Sequence, residues 1–225
     1  MRTTRRAYLA AAGGAVTATA GCLGGGSGTA GMADLSCDVG QLDQVNSLPR
    51  PSLGPDDAAV TVSAYEDYAC PHCATYSLNV FPKVKENYID TGKIRYRFFD
   101  FPLPVNEQWS WGGAVAARAV QDRADAETFF EYGKTLFERQ GDLTSEGYSV
   151  VHDAAEEFDV NGCEVAASVD QETYKSVVES DRQRAVDAGF QSTPTIVVNG
   201  ETTADPSWST VKQAIDGHLK SASKS

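Results

Sequence analysis

Two cysteines three positions apart, Cys70 and Cys73, enclose Pro71 and His72 in the stretch YACPHC. Such a pair can hold a metal, staple a fold or exchange electrons. Structural zinc needs four ligands, commonly a second pair at similar spacing or two histidines. The remaining Cys37, Cys163, His152 and His218 offer no such second spacing. As a staple the pair is weak: a closed loop of four residues removes only about 2 kcal/mol of unfolded-state entropy, against about 3 kcal/mol for a fifteen-residue loop. Redox exchange is the reading the pattern favours.

The elements that must position these residues follow from periodicity. Residues 60–65 (VTVSAY) form a short β-rich run, and from Pro71 onward apolar residues recur at helical spacing, with Pro82 set to kink the helix. The cysteines therefore fall where a strand hands over to a helix. Cys70 lies at the helix start and Pro71 suits the first helical position, so the orphan N–H groups of the first turn can donate to a thiolate at Cys70. That lowers the Cys70 pKa and makes it a good leaving group. Cys73, one turn on, is within disulfide reach and should be the less exposed partner. His72 as an imidazolium would favour the thiolate too, unless it points into solvent; at molar salt the direct N–H contacts should outweigh it.

Residues 94–99 (IRYRFF) alternate and read as a strand at an exposed edge of a sheet, completing a β-α-β unit. Helical patterns then cover 111–123, 126–139, 145–158 and 171–187. Strand character returns at 195–198 (TIVV), followed by the hairpin signal Asn199-Gly200 and a closing helix over 208–219. The whole reads as α/β. Trp109, Trp111, Phe129 and Phe130 are expected to pack helices, and His152 and His218 to lie on helix surfaces. Glu66 and Asp67 read as acidic loop residues that could assist proton transfer near Cys73.

The chain carries 31 acidic and 19 basic residues, a net charge of -12. That argues against nucleic acid and anionic lipid as partners. The acids are scattered between apolar positions, as on a solvated surface, and fit either ordinary solubility or adaptation to high salt. Residues 1–21 combine Arg5-Arg6 with an Ala/Gly-rich apolar stretch and read as an export signal. The run Thr4-Arg5-Arg6-Ala7-Tyr8-Leu9 resembles a twin-arginine signal. Thr19-Ala20-Gly21-Cys22 resembles a lipobox, in which Cys22 is lipidated. A transmembrane anchor is the alternative, but the apolar run is short and diluted by glycine. Removing 1–21 takes away three arginines and no acids, leaving -15. Residues 22–57 then read as a flexible Gly/Ser tether and a loop-rich lead-in. Export would place the cysteines where disulfides persist.

The stretches Tyr65-Glu66-Asp67-Tyr68-Ala69-Cys70-Pro71-His72-Cys73 and Gln191-Ser192-Thr193-Pro194-Thr195-Ile196-Val197-Val198-Asn199-Gly200 resemble the thioredoxin superfamily. Within it they are most similar to DsbA-like thiol:disulfide oxidoreductases, here of an exported, twin-arginine lipoprotein type; where the acidic surface reflects adaptation to high salt, the expected source is a haloarchaeon. The resemblance covers about 57–220. It implies a thioredoxin fold over 58–220 with a helical insertion, about 105–187, between its β-α-β and β-β-α halves. It also implies that Pro194 is a cis-proline facing the cysteines and that Thr193 presents backbone groups to a substrate chain. Cys37 and Cys163 have no counterpart in the motif: paired, they would close a loop worth roughly 5 kcal/mol; otherwise they stay free.

The function expected is oxidation of substrate dithiols through a Cys70–Cys73 disulfide, with no metal or organic cofactor required. The expected partners are exported proteins with free thiols and, by family analogy, a membrane quinone-coupled reoxidising protein. A reductase or isomerase of the same fold, or a lipoprotein binding module or holdase, is the alternative.

Overall fold

A computed structural model describes residues 31–223. The expected export signal and the lipidation site Cys22 lie outside the described residues. Strand β1 (Ser52–Leu53) is short. In β2 (Val60–Glu66), buried Val60, Val62 and Ala64 alternate with half-buried Thr61, Ser63 and Tyr65, the period of two that a strand imposes. Ile94, Tyr96 and Phe98 of β3 (Ile94–Asp100) and Ile196 and Val198 of β4 (Thr195–Val198) continue that apolar face. With β5 (Glu201–Thr202) the sheet order is β1-β3-β2-β4-β5. Only β2 and β3 run parallel; the other pairs are antiparallel, and Asn199-Gly200 turns β4 into β5 with positive φ at both residues.

The parallel pair needs a crossover, which α1 (Pro71–Asn79) begins. Pro82 lacks the N–H that would bond the Leu78 carbonyl, and the helix breaks at Val80 (φ -108°) before α2 (Phe81–Val84) and a π-helical turn, Lys85–Ile89. The insertion follows as α3 (Trp109–Arg123), α4 (Ala126–Glu138), α5 (Gln140–Glu156), α6 (Gly162–Asp170) and α7 (Lys175–Asp187). Asp125 and Asn161 cap α4 and α6 by accepting from backbone N–H groups. After the β4–β5 hairpin, α8 (Trp208–Ala222) closes the fold under a Ser207 cap. This is the thioredoxin arrangement with a helical insertion between its halves. No helix among the described residues is long and apolar enough to cross a membrane.

Three expectations need correction. First, β3 is not an edge strand: all seven of its residues pair with β2, and β1 pairs with Tyr96 and Arg97 from the other side. The alternation in IRYRFF records one solvated face, where Arg95 pairs with Asp56 at 2.9 Å and Arg97 lies over the Phe99 ring. Second, the helix expected over 171–187 starts at Lys175, and α6 precedes it unforeseen. Gly162 and 165–169 are buried almost all round, so α6 carries no 3.6-residue stripe. Third, α5 begins at Gln140 and bends at Glu146 (φ -129°), five residues ahead of the helical pattern that starts at Ser145.

The lead-in is tied to the body. Cys37 and Cys163 form a disulfide. Val45 N donates to Thr173 O at 2.9 Å and Leu42 N to Gln171 Oε1 at 2.8 Å. A second tie is buried: Arg118 of α3 bonds Asp100 at 2.6 Å and Asp181 of α7 at 2.8 Å, and Arg50 also reaches Asp181. The helices pack closely at Gly147, where a Cβ would stand 2.0 Å from the Trp109 ring. Gly147→Ala is therefore expected to destabilise the chain by about 1–3 kcal/mol, read as a lower urea midpoint with unchanged slope.

Candidate active site

Cys70 is the N-cap of α1 and Pro71 its first residue. Both cysteines are buried, Cys70 at 6% exposure and Cys73 at 0%, the expected order. They are not bonded to each other, so the structure describes the dithiol form. Cys70 Sγ lies 3.5 Å from Thr193 O, and the Thr193–Pro194 bond is cis. Cys70, Pro71, Cys73, Thr193 and Pro194 are thus brought together from two segments more than a hundred residues apart.

The Cys70 pKa is lowered to about 5, by the Cys73 side chain first, then by Thr193 and the backbone N–H groups of Cys73 and His72, while burial opposes. His72 acts through its backbone; its exposed side chain lines a groove with Thr75, Tyr76, Thr193, Pro194 and Trp208. Burial pushes the Cys73 thiol well above its ordinary value, and Cys70 and Glu66 push it further. The two thiols are therefore driven apart in acidity: one is a thiolate at neutral pH, the other holds its proton.

Glu66 and Asp67 are not exposed loop acids. Glu66 ends β2 at 2% exposure, accepts from Ser77 Oγ at 2.5 Å, and has its pKa pushed up to about 8 by burial. Asp67 braces the turn: its oxygens accept from the N–H groups of Ala69 (2.8 Å) and Leu103 (2.9 Å), and its own N–H donates to Cys73 Sγ at 3.3 Å. One positioning residue escaped the sequence reading. Gln140 Nε2 donates to the carbonyls of Tyr68 (2.8 Å) and Cys70 (3.0 Å), fastening the insertion to the cysteine turn. It is 70 residues from Cys70, and no local pattern marks it. Among the described residues, the group of three or more potential metal ligands is Cys37, His152 and Cys163, which does not include Cys70 or Cys73.

A thioredoxin family profile matches residues 47–217. The chain belongs to the thioredoxin family. Within it the likeness is to the DsbA type. Disulfide bond formation protein D of Bacillus subtilis is 31% identical over 189 residues, covering 79% of this chain and 82% of the relative. The probable disulfide bond formation protein D of Bacillus cereus is 33% identical, covering 75% and 78%. The crystal structure of oxidised BdbD from Bacillus subtilis superposes with a TM-score of 0.70 at 30% identity, covering 80% of this chain and all of that one. Chlamydia trachomatis DsbA, at 18% identity and a TM-score of 0.66, shares the fold.

Proposed function

We propose that the protein is a thiol:disulfide oxidoreductase that oxidises substrate dithiols through Cys70 and Cys73. The observation that carries this is the unequal pair: an N-cap cysteine held as a thiolate, backed by a buried, protonated one. A substrate thiolate attacks Cys70 Sγ in the enzyme disulfide. The S–S bond breaks, Cys73 leaves with the electron pair and takes up a proton, and a mixed disulfide forms. A second substrate thiol then attacks the substrate sulfur and expels Cys70 as a stable thiolate. Thr193 and cis-Pro194 flank Cys70 and can align the incoming chain, and the His72–Trp208 groove offers it an apolar bed. The Bacillus relatives are named as disulfide bond formation proteins, which supports the same class here.

The setting is part of the proposal. The signal-like residues 1–21, the lipobox-like Cys22 and the Gly/Ser run after it support an exported protein tethered to the outer face of the cell membrane. Its partners there would be exported proteins with free thiols, and a membrane quinone-coupled protein would accept the electrons. The excess of acidic residues supports a high-salt habitat.

The test is the equilibrium reduction potential in glutathione buffers across pH. A Cys70 pKa of about 5 stabilises the dithiol at pH 7, worth about 2 kcal/mol once solvent screening is discounted, or roughly 40 mV towards oxidation. The potential is expected at or above roughly -230 mV, about 40 mV more oxidising than the -270 mV of thioredoxin. It should fall by about 30 mV per pH unit above pH 5, where only Cys73 keeps its proton, and by about 59 mV per unit below. A thioredoxin-like potential would instead favour the reductase reading.

A further inference from the structure

The Cys37–Cys163 disulfide has a third group beside it. Cys37 and Cys163 sulfurs and a ring nitrogen of His152 all lie within 4.8 Å of one another, on three separate pieces of chain: the lead-in, α6 and α5. All three residues are partly exposed. We propose that, when this disulfide is reduced, Cys37, Cys163 and His152 form a binding site for a thiophilic divalent cation of the zinc class. Two thiolates and one imidazole are a donor set that suits zinc, and the exposure leaves a fourth position to solvent.

Two features fit the site to this role. The close approach of His152 is built in: a Cβ on Gly162 would meet the His152 carbonyl at 2.5 Å and its ring at 2.9 Å, so only glycine next to Cys163 lets the ring sit there. The imidazole is also oriented. His152 Nδ1 stands 2.8 Å from Asp153 Oδ1, and in the tautomer that carries its proton on Nδ1 this contact is a hydrogen bond to the carboxylate and Nε2 keeps its lone pair for a metal, in the manner of carboxylate-supported metal histidines.

The sulfurs should stay together after the bond opens. Gly40 O, Leu42 N and Gln44 Nε2 bond Gln171, Val45 N bonds Thr173, and Met32 and Leu35 pack on the core, so the lead-in is docked without the disulfide. The redox step balances with a dithiol as reductant. It gives two electrons and two protons to the Cys37–Cys163 bond and becomes a disulfide, and the cation then displaces the two thiol protons. The site is thus closed to metal in the oxidised chain and open in the reduced one.

The test uses the full chain with Cys22, Cys70 and Cys73 changed to serine, so that only Cys37 and Cys163 supply sulfur and the outcome is independent of the proposed exchange activity. After reduction and removal of reductant, titration with Co²⁺ should give one equivalent of a thiolate-to-cobalt charge-transfer band that Zn²⁺ abolishes. The oxidised chain should give none. Asp153→Asn should weaken binding by about tenfold, and His152→Ala by more than the roughly 100-fold at the upper end for a supporting partner. Several results overturn the proposal: no band in the reduced chain, whether or not near-ultraviolet dichroism shows the lead-in still docked; equal binding by the oxidised chain; or undiminished affinity in His152→Ala.

Discussion

A chain carrying Cys73→Ser is expected to lose catalytic turnover by at least roughly 10³-fold and, offered the disulfide form of a substrate peptide, to accumulate as a mixed disulfide: the Cys70 thiolate attacks that disulfide, its S–S bond breaks, and the peptide's other sulfur leaves as a thiolate. Turnover depends on a second sulfur held permanently beside the first, and intramolecular placement of a reacting group is worth effective molarities up to about 10⁵ M or more. Cys73 N–H bonds the Cys70 carbonyl at 3.0 Å and Asp67 holds the Cys73 sulfur from behind, so the partner is fixed in place. Serine keeps that geometry and removes the sulfur. The trapped species should appear on non-reducing gels, disappear with reductant, and map to Cys70 by mass spectrometry. Cys70→Ser should trap nothing, because Cys73 is fully buried. Comparable adducts on Cys70→Ser would reverse the assignment of the two cysteines, and a parent chain without dithiol-oxidising turnover whose substrate binding is unchanged in Cys70→Ser would favour a binding module.

The cysteine turn was readable because its chemistry is local: a strand, a two-residue spacer and a helix start lie within a dozen residues, and Pro71 at N1 fixes where the helix begins. Pro194 was legible only through resemblance, since an X-Pro bond is cis in about 5% of cases and nothing in the sequence near it says which. What stayed hidden is what the tertiary fold decides. Gln140 reaches Cys70 across 70 residues, and Arg118, Asp100 and Asp181 meet from three elements. Cys37, His152 and Cys163 show no metal-like spacing in sequence, and only the docking of the lead-in on α6 assembles them. The same holds for Glu66. A strand-end carboxylate beside an acidic neighbour reads as solvated until the insertion covers it, and its burial changes what it can do.

Glu66→Gln is expected to stabilise the fold at pH 8 while slowing disulfide exchange. Below about pH 4.5 the carboxyl is protonated in both folded and unfolded chains; between there and about 8 only the folded chain keeps the proton, because burial raises its pKa. Stability is thus full at low pH and is lost as pH rises through this window, by roughly 3–5 kcal/mol. Glutamine retains the shape and a hydrogen-bonding partner for Ser77 without the charge. Its Tm should match the parent near pH 4 and exceed it by about 10 °C at pH 8. A parent whose stability is flat between pH 5 and 8, or a Gln variant less stable at pH 8, would show that Glu66 is not held neutral. The kinetic cost follows from the same proton. When Cys70 is attacked, Cys73 departs as a thiolate whose pKa burial has driven up, and it must be protonated within the core. Glu66 is electrostatically coupled to Cys73 and holds a proton at neutral pH, and the cavity beside it, about 20 Å³ between Tyr68, Ser77 and Phe129, has room for one water to replenish it. Glutamine has no proton to give, so reduction of the enzyme disulfide at pH 7 should slow by up to about a hundredfold, measured by stopped-flow with a dithiol peptide. Wild-type exchange should also slow as pH rises past 8 and Glu66 ionises, and the Gln variant should lack that step. The residue that weakens the fold at neutral pH is in this way the one that lets Cys73 leave.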